Sequence, residues 1–193
     1  MKYLSLKPTR SLWVLAVSVL ACSIWPVAAF PEGPPPAHTG ANGQPDCSVC
    51  HFAGPEPTAN SGLTITSFPQ EVSPGAVYEL KLQLLGPEQR AGGFQVAIVN
   101  TETARVSVGE WIVDENQRID SENDIVYLGH SEPKSAVHDD GSGEMLTEWI
   151  LRWRAPSENP GPLRIIAAAV ASDHDESPLG DAVYVFKTSL NDE

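Results

Sequence analysis

The 193-residue chain has few cysteines and few basic residues, and beyond its first 29 residues it has no apolar run long enough to cross a bilayer. It holds 12 lysines and arginines against 25 aspartates and glutamates. This balance disfavours nucleic acid and anionic lipid surfaces as partners, because their phosphates need cationic side chains. It permits steering towards a basic partner, although acidic charge also simply keeps a protein soluble. The chain lacks a Gly-x-Ser-x-Gly nucleophile motif as well.

The N-terminus has the pattern of an export signal. Three basic residues precede a short apolar segment at 11–22, and the small residues 27–29 suit a cleavage site. The apolar segment is too short to span a bilayer as a helix. We therefore predict a signal peptide over residues 1–29 and a periplasmic or extracellular protein. Cleavage would leave nine basic residues against 25 acidic ones, a net charge of −16.

A second processing site competes with the first. Residues 19–21 before Cys22 resemble an imperfect lipobox. Processing there would retain Cys22 as a lipid anchor and tether the protein to the outer membrane. Under either cleavage, the domain itself keeps only Cys47 and Cys50.

These two cysteines lie in the stretch PDCSVCHFAG at positions 45–54. Cys-x-x-Cys-His is the attachment pattern of a c-type haem: two thiols bond the macrocycle and the histidine ligates iron. Cys47, Cys50 and His51 supply these groups in that order. A zinc site would need a second pair of ligands, and a thioredoxin-like site would need a helix after the motif. A plain Cys47–Cys50 disulfide stays open as the alternative.

Downstream of the motif, the pattern is that of β-strands. Residues 78–85 and 145–155 alternate apolar and polar side chains, and Trp149 and Trp153 are expected in the core. Residues 163–171 form an almost continuous apolar run, typical of a central strand buried on both faces. The remaining candidate strands are 63–68, 94–100, 104–113, 125–128 and 182–188. About eight short strands without a convincing helix predict an antiparallel β-sandwich.

The predicted organisation is therefore a signal peptide at 1–29, a linker at 30–44 and one sandwich domain at 45–190. The linker is assigned from its proline and glycine content and its lack of periodicity.

Several stretches together resemble the Reeler domain, the reelin-type extracellular β-sandwich. They are YLGHSEPKSAV, EWILRWRAP and GPLRIIAAAVAS, with GGFQVAIVN earlier in the chain. The chain also resembles a bacterial branch that often opens with Cys-x-x-Cys-His and has Gly-Asp before the last strand, here Gly180 and Asp181. The resemblance spans about residues 41–190. It implies an eight-stranded, immunoglobulin-like sandwich, secreted or surface-associated, with a single haem.

The resemblance also suggests His130 as a second iron ligand. His130 matches a histidine that haem-free animal Reeler domains keep, so a purely structural role for it stays open. Other candidates are Met145, which is also suited to the core, and the loop residues His138 and His174. His174 lies between Asp173 and Asp175, which suggests either a divalent-metal site or an ordinary surface loop. We also expect that Trp111 lies beside the haem and that Arg152 or Arg154 pairs with a haem propionate.

The sequence thus predicts an exported protein that binds one covalent haem c through Cys47, Cys50, His51 and His130 and transfers electrons to an unidentified redox partner. A haem-free interaction or adhesion module with a Cys47–Cys50 disulfide is the alternative. A redox carrier is favoured over an enzyme, although iron with His51 as its only axial ligand would be open to peroxide or gas chemistry.

Overall fold

A computed structural model describes residues 30, 32–40, 43–56, 58–102 and 106–190. The predicted signal peptide and Cys22 lie outside these residues. Within them, no helix is long and apolar enough to cross a membrane. The described elements are one 3-10 helix, Cys47–Val49, and twelve strands: β1 Thr58–Ala59, β2 Leu63–Thr66, β3 Val77–Gly86, β4 Ala91–Asn100, β5 Glu110–Ile112, β6 Gln117–Glu122, β7 Ile125–His130, β8 Lys134–Ser135, β9 Val137–His138, β10 Met145–Arg154, β11 Leu163–Ser172 and β12 Ala182–Leu190.

The strands form two sheets that pack as a sandwich, which confirms the predicted fold class. The first sheet has the order β1-β12-β11-β4-β7-β6, with β8 also paired to β4. The second has the order β2-β3-β10-β5, with β9 also paired to β10. All these pairings are antiparallel except that of the two-residue β1 with β12.

The second sheet is amphipathic, as the alternation in β3 and β10 predicts. Trp149 lies opposite Leu82 and Leu151 opposite Leu80, and these side chains are buried at the sandwich interface. Trp153 is fully buried too, so both tryptophans belong to the core. The side chains between them point away from the core because successive residues of a strand alternate between its faces.

The first sheet is covered on both faces, which explains the continuous apolar run of β11. One face of β11 contributes Ile165, Ala167 and Ala169 to the sandwich core. On its other face, Ala168 and Val170 pack with Cys47. The N-terminal residues of the described chain thus form a third layer over the outer face of this sheet.

The third layer is fixed to β4 through Gln95. The Gln95 side chain donates to the Pro35 carbonyl oxygen and accepts from the His38 backbone N–H, both at 2.8 Å. Ala37 packs with Tyr127 and Ile166 on the same face. The residues predicted as a linker are therefore seated on the sheet. They bring Cys47 of the Cys-x-x-Cys-His motif onto the outer face of β11 and β12.

Candidate functional site

The two cysteines differ in exposure because the 3-10 helix turns one of them inward. Asp46 caps this helix by accepting from the Ser48 N–H at 2.8 Å, and the His51 N–H donates to the Cys47 carbonyl at 2.9 Å. Cys47 is buried against Val170 and Val183, whereas Cys50 is partly exposed. Both are free thiols.

Burial also controls the protonation of Cys47. Desolvation, reinforced by the nearby Asp46 charge, raises the pKa of its thiol to about 12. The Cys47 thiol therefore stays protonated at neutral pH, and its S–H points to the His38 carbonyl at 3.9 Å.

The imidazole of His51 is held by a buried carboxylate. His51 Nδ1 lies 2.5 Å from Asp181 Oδ2, and the Asp181 side chain is only 3% exposed. Asp181 directly precedes β12, far from the motif in the chain. The contact leaves Nε2 as the second ring nitrogen of His51.

His130 lies at the end of β7, where it packs on β4. A Cβ on Gly93 would stand 2.4 Å from His130 Cε1, so the ring occupies the space that any larger residue would fill. His130 Nδ1 is 2.9 Å from the Phe94 nitrogen and 3.1 Å from the Phe94 oxygen. Whichever contact is made, Nδ1 is engaged with the backbone and Nε2 is the remaining ring nitrogen.

The surroundings of His130 favour its neutral form. Burial is the main cause that lowers its pKa below 6.5, and the charges of His51 and Arg118 act in the same direction. A neutral imidazole is the form that ligates a metal.

One cavity of about 450 Å³ joins these groups. Four of the five histidines of the chain line it, together with both Cys47 and Cys50. The rest of its wall is mainly apolar or glycine, with a small polar set. Its other lining residues are Phe30, Pro34, Pro35, Ala91, Gly92, Gly93, Phe94, Pro133, Val170, Ser172, Glu176, Ser177, Pro178 and Asp181.

Of the other histidines and Met145, two residues line the cavity and two do not. His174 lines the cavity but is exposed in a loop, and His38 lines it from the third layer. His138 is exposed beside Asp140, and neither it nor Met145 lines the cavity.

Trp111 and the two arginines have other partners. Trp111 belongs to the sandwich core rather than to the cavity wall. Arg152 pairs with Asp114 and Arg154 with Glu110, so both arginines are engaged in surface ion pairs.

The described residues do not assemble His174, Asp173 and Asp175 as a metal site. No group of three or more His, Cys, Asp and Glu side chains within the described ranges is arranged to hold a bare metal ion. In this loop, Asp173 and Asp175 instead accept backbone N–H bonds from the residues two positions further on.

Three features of the site did not follow from the sequence. They are the contact between His51 and Asp181, the packing of the His130 ring on Gly93, and the position of His38 in the cavity wall. The resemblance singled out Gly-Asp before the last strand, but the role of its aspartate depends on how residues 51–54 and 178–181 pair. No local pattern encodes such a pairing.

Comparison with solved structures supports the fold. The reeler domain of human F-spondin shares 16% identity, with alignment over 74% of this chain and 96% of that one and a TM-score of 0.51. A structure of the Reelin-N domain of F-spondin shares 17% identity over 74% and 94% of the two chains, with a TM-score of 0.50. These similarities establish a Reeler-like β-sandwich fold. No family model and no curated protein sequence matches the chain.

Proposed function

We propose that this protein is an exported, single-haem electron-transfer protein with the haem c held in the cavity between the motif and His130. The observation that supports this most is the shared cavity. Cys47, Cys50 and His51 come from one short motif, and His130 comes from a distant strand, yet all four line the same apolar space. The volume of about 450 Å³ is within the range of small-molecule and cofactor sites.

The residues present fit a c-type haem. Two thiols at the motif would bond the macrocycle, and His51 and His130 each have one ring nitrogen engaged and the other left for iron. Apolar and glycine residues line the rest of the wall, as a largely apolar macrocycle requires. When bound, the haem would supply reversible one-electron chemistry at its iron.

His130 is a better candidate than His174 for the second axial position. The His130 ring is fixed by Gly93 and by the Phe94 backbone, and its neutral form is favoured. His174 is exposed and has a left-handed backbone, with φ of 63°, in a polar loop. A preorganised ligand loses less conformational entropy on binding than a loop side chain.

Ligation by His130 selects one of its tautomers. With the proton on Nδ1, the ring donates to the Phe94 carbonyl and Nε2 carries the lone pair. With the proton on Nε2, Nδ1 accepts from the Phe94 N–H instead. Nδ1 of His130 therefore has a backbone partner on Phe94 in either tautomer.

The test is production of the full chain in a bacterial host that has haem-attachment machinery. We expect a red protein whose Soret band survives acid-acetone extraction, titrates reversibly with one electron and is low-spin. A Cys47→Ala/Cys50→Ala variant should lose the covalent colour. His130→Ala should become high-spin, whereas His138→Ala, a histidine outside the cavity, should keep the low-spin spectrum.

A colourless protein from that host, with Cys47 and Cys50 joined in a disulfide, would refute the haem proposal and favour a haem-free interaction module. A low-spin spectrum that is unchanged in His130→Ala but lost in His174→Ala would retain the haem and reassign its second ligand.

A further inference from the structure

We propose that Asp181 is a positioning residue that fixes the imidazole of His51 with the proton on Nδ1 and the lone pair of Nε2 directed to the cavity, and that its charge lowers the reduction potential of the bound haem. The second half of this inference rests on the proposed function. The first half concerns only groups that the structure describes.

The backbone around this pair is tightly fixed. The Phe52 N–H donates to the Pro178 carbonyl at 3.1 Å, and the Gly180 N–H donates to the Phe52 carbonyl at 2.9 Å. These two bonds flank His51 on one side and Asp181 on the other. Neither residue can move far without breaking the bridge that Phe52 and Leu179 form.

Gly54 brings the two segments into closer contact. A Cβ at this position would stand 2.0 Å from the Asp181 carbonyl oxygen, so the approach requires glycine. The sequence Cys-x-x-Cys-His is thus locked, through residues 52–54, onto the segment that carries the carboxylate.

Burial of Asp181 decides where the His51 proton resides. A carboxylate that is removed from water must accept hydrogen bonds to offset its lost hydration. In the described part of the chain, the one ion pair that Asp181 forms is with His51. Nδ1 of His51 therefore carries a proton and donates it to Oδ2, and in the neutral ring Nε2 is then the nitrogen with a lone pair.

The charge of Asp181 adds an electronic effect to this orientation. A carboxylate that accepts from a metal-bound histidine makes that histidine a more basic ligand. A more basic ligand stabilises the oxidised iron relative to the reduced iron, so the reduction potential falls. A backbone carbonyl in the same place would orient the ring but would not supply a full negative charge.

The first experiment reads the tautomer without haem. In the full-length Cys47→Ala/Cys50→Ala chain, nitrogen-15 NMR of the imidazoles should show His51 protonated at Nδ1. Adding Asp181→Ala should abolish this preference, while adding Asp173→Asn, an exposed acid of the neighbouring loop, should leave it. In the parent chain, a neutral His51 that carries its proton on Nε2 rather than on Nδ1 would overturn the inference.

The second experiment measures the reduction potential of the haem-loaded protein. Asp181→Asn keeps an acceptor oxygen but removes the charge. We expect the one-electron equilibrium constant for reduction to rise about tenfold, or about 59 mV, and Asp173→Asn to have no such effect. Equal potentials for Asp181→Asn and Asp173→Asn would overturn the electronic part. If no haem attaches to any chain, the proposed function fails, and the NMR result still decides the role of Asp181.

Discussion

The imidazole of His130 lies directly on Gly93, at a distance where a Cβ on that glycine would stand 2.4 Å from Cε1 and 2.7 Å from Nε2. The ring cannot retreat without cost because its Nδ1 is engaged with the Phe94 backbone. Residue 93 therefore sets where the imidazole can be.

Gly93→Ala should displace this ring. We expect a loss of about 1–3 kcal/mol in the free energy of unfolding, since the added methyl overpacks a tight contact. In the haem-loaded protein, the low-spin fraction should fall as well. Denaturant unfolding and the visible spectrum would measure the two effects.

Gly141→Ala is the matched control, because the nearest atom to its Cβ would be 3.5 Å away. This variant should change neither quantity. If both variants lost similar amounts of stability and of low-spin fraction, the contact between Gly93 and His130 would not be the cause.

The two motif cysteines should differ in reactivity in the reduced, haem-free protein. Cys47 is only 9% exposed and its pKa is raised to about 12, so little thiolate is present at pH 8. Cys50 is partly exposed. We expect iodoacetamide to modify Cys50 at least about tenfold faster than Cys47, as measured by peptide mass mapping.

Denaturant should remove this difference, because it abolishes the burial of Cys47. Equal rates in the folded protein would show that the 3-10 helix does not bury Cys47 as described.

The stability of the haem-free protein should depend on His130 below pH 6.5. Burial lowers the pKa of this group in the native state, whereas the unfolded chain titrates near 6.5. As pH falls, the unfolded state therefore binds a proton that the native state does not, and the free energy of unfolding decreases. The loss begins near pH 6.5, is complete below the native-state pKa, and has a slope of at most about 1.4 kcal/mol per pH unit.

His130→Gln should remove this component, so the free energy of unfolding of the variant should fall less steeply than that of the parent between pH 7 and pH 5. His138→Gln, at an exposed site, should leave the curve unchanged. A slope that persists in His130→Gln would assign the titration to another group.

The strands that could be predicted from the sequence are those with a strong apolar signal. β3 and β10 alternate cleanly, and β11 is apolar throughout, so their faces and burial are as expected. β6 was not predicted because it is a polar strand at the edge of the first sheet, and it carries no periodic apolar signal.

Only part of the candidate site could be predicted from the sequence. Cys47, Cys50 and His51 form a local motif, and local motifs can be read directly. Asp181 and Gly93 contribute through contacts between distant segments, which register and packing determine. The proline and glycine content of residues 30–44 indicated an extended chain, but it could not show that Gln95 would hold that chain on the sheet.

The attachment of the third layer to Gln95 can be tested by substitution. Gln95 is 1% exposed and satisfies both the Pro35 carbonyl and the His38 N–H. Gln95→Leu should cost about 2–4 kcal/mol, because it leaves two backbone groups of the third layer without their partner. It should also loosen the cavity wall formed by Pro34, Pro35 and His38, and thereby lower the yield of covalent haem.

Limited proteolysis would measure the loosening, with faster cleavage expected between residues 30 and 46. Gln83→Leu is the control, since Gln83 is partly exposed on β3 and its side chain donates to Glu148 instead. It should change cleavage little. If both variants were cleaved at the parent's rate, the third layer would be held by its apolar contacts, with Ala37 and Cys47 against the sheet, rather than by Gln95.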